Sequence, residues 1–251
     1  MAHAPNLVAA LSDCARLAVR YKVPADIDPT DHIFWFLHAH PAIGPSAAEH
    51  YFSDGRDCAV KLRKLIEEHL ASASVNILEF ASGYGRVTRH LPNILPEATC
   101  TACDIHDAAV RFVSRFGIEA VQSCEMPEEF DLGRTFDVVF ALSFFSHAAP
   151  PIWARWLRRL IEHTAKGGLT IFTTHGERSR SQVVPGSTPG SEFVFLPHSE
   201  QPDLPTEQYG TALTPLPFVY AQIAALETSR LIKFEEGYWW GHQDVYVMRR
   251  I

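Results

Sequence analysis

The sequence predicts an α/β protein: a doubly wound, mostly parallel seven-stranded sheet, closed by a hairpin and preceded by a helical N-terminal extension. Three observations predict it. The first seventy residues carry helical spacing broken by prolines, with no strand-like run. From residue 75 onward short apolar runs alternate with helix-length segments, the pattern of right-handed crossovers in a parallel sheet. The first of those runs ends in a glycine-bearing bend, VNILEFASGYGRV, that leads directly into helix-like sequence.

Each element has a local reason. Leu7, Leu11, Ala15 and Ala18 keep helical spacing, and Ser46-Ala47-Ala48-Glu49 has the form of a capping box, in which Ser and Glu satisfy each other's backbone N–H groups. A second helix is expected to begin near Gly55 and to carry Val60, Leu62, Leu65, Ile66 and Leu70. Pro24, Pro29, Pro41 and Pro45 mark turns. The strand expectations are 75–80, 98–104, 118–122, 136–142 and 168–174, short and unpunctuated as strands buried on both faces should be. Helices are expected over 86–93, 107–116 and 151–164.

After the fifth strand the rhythm breaks. Residues 177–217 hold many of the chain's 17 prolines and are too long for an ordinary connection, so they read as a lid or substrate loop. A short helix over 218–226 leads to strand-like runs at 231–238 and 242–248, joined at Trp239-Trp240-Gly241 in a closing hairpin. The organisation expected is an N-terminal extension, 1–72, covering the cofactor and acceptor site, and a cofactor-binding domain, 73–251, with the lid inserted.

Composition excludes several classes. At 251 residues, 47% hydrophobic and 20% charged, the chain can bury a full core and is neither disordered nor membrane-like. No apolar stretch approaches the roughly 18 residues of a spanning helix. The start, MAHAPNLVAALSD, lacks a basic segment followed by an apolar one, so a cytoplasmic protein is expected. A net charge of −7 without a Lys/Arg cluster argues against nucleic acid as a partner and for a small or neutral one. The five cysteines give no disulfide framework; Cys100 and Cys103 share a strand, where side chains three apart point to opposite faces. No metal is expected: His38-x-His40 has no neighbouring acid or cysteine to complete a ligand set.

In an open parallel sheet, ligands bind outside the carboxyl ends of the strands. Gly83 and Gly85 stand at the end of the first strand, where they permit a sharp turn and a close backbone approach to a ligand. Asp104 closes the second strand, where a carboxylate can take both hydroxyls of a ribose. Glycine loop and acid together indicate a nucleoside cofactor. A dinucleotide fingerprint requires a third small residue, and Thr88 stands in its place. The alternative register E-x-G-x-G-x-G gives Glu79, Ala81, Gly83 and Gly85, with alanine for the first glycine.

Glu79 to Gly85, the Asp104 that ends CTACDI, FDVVFALSFFSH at the fourth strand, KGGLTIFTTHG at the fifth and the closing GHQDVYVMRR together resemble the ordered motifs of class I S-adenosylmethionine-dependent methyltransferases. The resemblance covers roughly residues 75–251 and implies a Rossmann-like fold with an antiparallel last strand and with S-adenosyl-L-methionine as cofactor. It implies that Glu79, Ala81, Gly83 and Gly85 border the methionine and ribose, that Asp104 holds the ribose hydroxyls, and that Ile105 lies against the adenine. Cys124 and Glu125 match the place where the family touches the adenine edge, and Leu142 and Ser143 the floor of the pocket. Asp137, at the start of its strand, takes a structural role.

Methyl transfer from a sulfonium asks the protein to align the acceptor and exclude water; a base is needed where the acceptor must lose a proton. His147 after the fourth strand and His175 after the fifth are the catalytic candidates, each with a plain alternative as a loop imidazole bonded to backbone. Trp239, Trp240 and His242 fall at the acceptor mouth or form a packed hairpin corner, and Tyr209 faces the acceptor or stands exposed in a turn. Tyr51 and Arg56 either reach the cofactor's carboxylate or are ordinary helix residues. The reading is O-methylation of a small molecule or glycan. The alternatives are a nicotinamide-dependent oxidoreductase, which Thr88 opposes, and a non-catalytic nucleoside-binding partner subunit.

Overall fold

The structure, a computed structural model, describes residues 7–198, 201 and 203–251. The N-terminal residues 1–6 and, within the expected lid, Ser199, Glu200 and Pro202 lie outside the described residues. The chain falls into two compact units, one of residues 1–74 with 82–122, the other of 75–81 with 123–251.

The first unit begins with α1 (Leu7–Tyr21), α2 (His32–Ala39) and α3 (Ala47–His69). Helix α1 buries Cys14, Leu17 and Ala18, while Leu11 on the expected row is 44% exposed. Asp31 caps α2, its Oδ1 accepting from Phe34 N–H at 3.1 Å. Two expectations for α3 are corrected. The capping box does not form, because Ser46 Oγ donates to Ile43 O instead. Nor does a helix begin at Gly55: α3 runs through it, and the glycine is there for space, since a Cβ would lie 2.1 Å from the Arg86 carbonyl oxygen. Leu62, Leu65 and Ile66 are buried as expected, whereas Val60 is exposed.

The same unit holds β2 (Thr99–Asp104) and β3 (Glu119–Gln122), which pair in parallel across α5 (Asp107–Ser114). Strand β3 ends its sheet, so its side chains are half-buried or exposed and not covered on both faces as the sequence suggested. The helix expected over 86–93 is instead a 3₁₀ turn, Thr88–His90, followed by the single turn α4 (Leu91–Ile94). Pro92 has no N–H to give to Thr88, which stops an α-helix from running through.

The second unit contains β1 (Asn76–Phe80), β4 (Phe136–Ala141), α6 (Pro150–Glu162), β5 (Thr164–His175), α7 (Arg180–Val183), β6 (Val194–Leu196), β7 (Thr211–Leu213), α8 (Leu216–Ala224), β8 (Ser229–Trp239) and β9 (Gln243–Arg250). The sheet has seven strands in the order β3-β2-β1-β4-β5-β9-β8. Strands β1, β4 and β5 are parallel; β9 runs antiparallel to both β5 and β8, as the sequence indicated. Asp137 keeps its structural role, its Oδ2 accepting from Asn76 N–H at 2.8 Å. Residues 177–217 are not structureless: β6 and β7 pair antiparallel within them.

Aromatic packing fixes the second unit. Trp153, Trp156, Phe140, Phe145 and Phe172 are fully buried, Trp153 lying 4.7 Å from Phe145 and Phe172 stacking on Tyr246 at 4.9 Å between ring centroids. Burial of each such side chain is worth about 1.5–3 kcal/mol. The turn between β8 and β9 puts Trp240 and Gly241 at φ +52° and +76° and closes with His242 N–H on Trp239 O. Positive φ at both centres matches the twist of the hairpin.

Candidate cofactor and acceptor residues

In the first unit the loop Ser82–Gly85 is tied to the end of β2: Ser82 N–H donates to Cys103 O at 3.0 Å. Gly83 and Gly85 have φ of +55° and +73°, but their surroundings differ. A Cβ on Gly85 would press on Val113 and Phe116 at 3.1 and 3.2 Å, whereas one on Gly83 would meet nothing within 4 Å. Gly85 packs the loop onto α5, and Gly83 borders open space.

Asp104, only 6% exposed, joins the two motifs. Its Oδ2 accepts from Gly83 N–H at 2.7 Å, and its Oδ1 accepts from the backbone N–H and the ring Nδ1 of His106, both at 3.0 Å. An ionised carboxylate has about four acceptor positions, and these three bonds leave one, on Oδ2, for a ligand hydroxyl. Ile105 beside it is half-buried, its carbonyl accepting from Gln122 Nε2 at 3.1 Å. An open cradle next to a held acid fits a nucleoside.

Tyr51 and Arg56 are placed otherwise than expected. Tyr51 is fully buried and donates to Asp31 Oδ2 at 2.6 Å, which removes its hydroxyl from any surface ligand. Arg56 stands on the surface, 3.7 Å from Asp57 and over the Tyr21 ring. Sequence reasoning missed the arginine that matters to the loop. Arg89, 2% exposed, donates to Gly85 O at 2.9 Å and Tyr84 O at 3.1 Å, and also to Pro24 O and Asp26 O of the N-terminal segment. Burial raises the Asp31 carboxyl above its ordinary range, with Tyr51, the Phe34 amide and Arg89 pulling it back.

In the second unit Glu79 is buried at the end of β1, and Ala81 follows with φ +58°. Cys124 donates to Met126 O at 3.1 Å and is raised in pKa by burial and by Glu129; Glu125 is exposed. Leu142 is half-buried beyond β4, and Ser143 takes φ +60°, a conformation rare for any residue but glycine.

Three histidines stand in a row there. Ring centroids lie 6.2 Å apart for His147 and His175 and 5.8 Å apart for His175 and His242, and Trp240 stacks on His242 at 6.1 Å. His147 Nδ1 lies 2.7 Å from Gly210 O; a carbonyl only accepts, so the proton is on Nδ1 and the lone pair on Nε2. This is the backbone-bonded imidazole of the plain alternative, yet the bond also sets the tautomer a base requires. Gly210 N–H returns a bond to His147 O at 2.9 Å, so the ring and its partner are held by one backbone pairing. Burial, then His147 and His242, lower the His175 pKa to about 3, the Ala212 backbone opposing. A group that weak serves poorly as a base. His242 is lowered by burial, and its Nδ1 lies 3.1 Å from Ser179 Oγ.

Of the aromatic alternatives, the exposed turn fails for Tyr209 and the packed corner holds for Trp239. Tyr209 is no exposed turn residue: it is 6% exposed, 5.9 Å from the Phe144 ring, and burial pushes its hydroxyl up to about 12. Trp239 is 1% exposed and packs on Phe140, because side chains alternate across the strand; Trp240 alone of the pair reaches the surface. Among the described residues no group of three or more His, Cys, Asp or Glu is placed to hold a metal ion, and no helix is long and apolar enough to cross a membrane.

Residues 78–170 match the methyltransferase domain family. The chain is 30% identical over 128 residues to a malonyl-[acyl-carrier protein] O-methyltransferase of Bacillus anthracis, a match covering 49% of this chain and 45% of that protein. The match thus spans less than half the length of that curated relative. Among solved structures, the plantazolicin methyltransferase BpumL in complex with S-adenosylhomocysteine superposes with a TM-score of 0.58 at 14% identity, covering 96% of this chain and 99% of that one. The S-adenosylmethionine-bound amino pentose methyltransferase CalS10 of Micromonospora echinaspora gives 0.57 at 16% identity, over 78% and 92% of the two chains. Residues 78–170 thus carry a match to a methyltransferase domain, within a sheet that has the fold of S-adenosylmethionine-dependent methyltransferases.

Proposed function

We propose that the chain is a methyltransferase that uses S-adenosylmethionine to methylate an oxygen of a small molecule or glycan. The observation that carries it is the joined pair Gly83 and Asp104 inside a matched methyltransferase domain. S-adenosylmethionine, when bound, supplies a methyl group already activated by a positive sulfur. Asp104 would accept from a ribose hydroxyl at the position left on Oδ2, the bare backbone at Gly83 would let the nucleoside approach, and Ile105 would lie against the adenine. Glu79, Ala81, Cys124, Glu125, Leu142 and Ser143 are proposed as the remaining cofactor contacts on the family's pattern. Residues 24–31 would form the part of the N-terminal extension that covers the loop, a reading supported by Arg89 on Pro24 O and Asp26 O and by Thr30 bonded to the Tyr84 hydroxyl.

Oxygen is favoured by His147. Its tautomer presents Nε2 as acceptor, so an acceptor hydroxyl would give its proton there as its oxygen takes the methyl. The O-methyltransferase relative is consistent with this. Trp240 and His242 are proposed to contact the acceptor, with 177–217 as the segment that closes over it. The test is incubation with isotope-labelled cofactor and a panel of alcohols, phenols, sugars and amines, the methyl being located by mass spectrometry. Label only on nitrogen would overturn the oxygen assignment; no label on any acceptor, with S-adenosylhomocysteine bound, would favour a binding subunit.

A further inference from the structure

We infer that Gln243 is a positioning residue that fixes the proton arrangement of Ser143 and His175. The substance rests on the geometry of the second unit; its consequence for catalysis rests on the methyl-transfer reading.

Gln243 opens β9, is 3% exposed and pairs in register with His175. Because β9 is antiparallel to β5, its first residue falls at the carboxyl end of β5, and paired side chains share a face. The hydrogen-bond directions follow from a group that can only donate. Ser143 N–H donates to Thr173 Oγ1 at 2.8 Å, and the Thr173 hydroxyl passes its own proton to Gln243 Oε1 at 2.8 Å. That orients the amide. Gln243 Nε2 then faces Ser143 Oγ at 2.7 Å and His175 Nε2 at 3.2 Å, and an amide nitrogen only donates, so both must accept. Ser143 Oγ also lies 3.1 Å from Oε1.

The left-handed conformation of Ser143 costs free energy and must be held from outside. Thr173 and Gln243 hold it from β5 and β9, and Ser146 Oγ donates to its carbonyl at 2.5 Å. His175, accepting at Nε2, carries its proton on Nδ1 and stays neutral, in accord with its lowered pKa. The proton of an acceptor is thereby left to His147.

The test uses Gln243→Glu and Gln243→Leu in the full chain, with ¹⁵N NMR of labelled histidines and His175→Gln for assignment. In the parent, the His175 Nε2 resonance is expected in the unprotonated range from pH 5 to 8. In Gln243→Glu a carboxylate replaces the donor, so Nε2 should gain a proton and the titration midpoint should rise by more than one pH unit. Methyl transfer by that variant should fall about tenfold in kcat. A parent His175 protonated on Nε2, or resonances and midpoint unmoved by Gln243→Glu, overturns the assignment. Gln243→Leu should lose the donor without adding charge; if it fails to fold, the near-isosteric glutamate variant still decides. Should the parent itself transfer no methyl group to any acceptor while the NMR shifts appear, the methyltransferase reading fails and the Gln243 assignment stands.

Discussion

The amide of Gly83 donates to Asp104 Oδ2 at 2.7 Å, so the glycine bend and the acid of the next motif are one device. The loop places backbone where a ligand can approach, and the carboxylate that would grip the ligand also holds the loop. Arg89 completes the brace from the other side by binding the Tyr84 and Gly85 carbonyls. With its amides on Asp104 and Cys103 and its carbonyls on Arg89, the bend is fixed before any ligand arrives.

Asp104→Ala should therefore weaken S-adenosylhomocysteine more than loss of the ribose contact alone, because the loop is released as well. Hydrogen bonds to a charged group contribute about 1.5–3 kcal/mol, which is on the order of 10- to 150-fold in Kd. Calorimetry on the folded variant checks this. An unchanged Kd would remove the central support for the nucleoside site.

His147→Ala should lower kcat by about 10²-fold or more for a hydroxyl acceptor while leaving the Kd for S-adenosylhomocysteine unchanged. His147→Asn, which keeps a donor toward Gly210 O but offers no basic nitrogen, should be nearly as slow. Steady-state kinetics with the acceptor found by mass spectrometry separates the two roles. Full activity in the asparagine variant would leave the imidazole with only its structural bond.

Much of this was legible in the sequence. Five strands, two long crossover helices and the hairpin stand where apolar runs and the Trp-Trp-Gly corner put them, because buried parallel strands have unmixed composition. What was not legible depends on partners distant in sequence. Gly55 looked like a helix start, yet it serves the Arg86 carbonyl; Arg89 looked like any helix arginine, yet it is buried by five oxygen partners. Gln243 carried one usable signal: the start of an antiparallel last strand lies at the ligand edge, a rule that pointed to His242 and stopped one residue short. The exposed-turn alternative for Tyr209 failed, and the packed corner held for Trp239, because exposure within a turn or corner depends on side-chain direction, which alternates by residue.

Ala81→Gly tests the one departure from the glycine pattern. Alanine at φ +58° bears a left-handed penalty of about 1 kcal/mol, which glycine lacks, offset in part by the greater freedom of glycine in the unfolded chain. The variant should be more stable by about 0.5 kcal/mol, raising Tm by about 1–2 °C. Thermal denaturation reads it, and a lowered Tm would show that alanine makes contacts worth more than its strain.

Asp244 supplies a pH dependence of stability. It is 3% exposed, and burial, with Glu236 adding, raises its carboxyl from 3.8 to about 6, while the Gly237 amide at 2.9 Å and Arg178 pull it down. Because the folded value lies above the unfolded one, the folded chain binds the extra proton: the contribution is complete below pH 3.8 and is lost as pH rises through about 6. A shift of that size corresponds to at most ~3 kcal/mol. His90 and His175, both lowered to about 3 chiefly by burial, act oppositely, since their contribution is lost as pH falls from 6.5 toward 3. Two histidines outweigh one acid between pH 3.8 and 6, so from these three groups stability should rise to about pH 6.5 and level off above it. Asp244→Asn keeps an acceptor for Gly237 N–H and cannot ionise, so it should stabilise the chain at pH 8 by roughly 1–3 kcal/mol and by about half as much at pH 5. Urea denaturation of parent and variant at the two pH values measures the difference; an equal effect at both would mean that the acid is not protonated in its buried place.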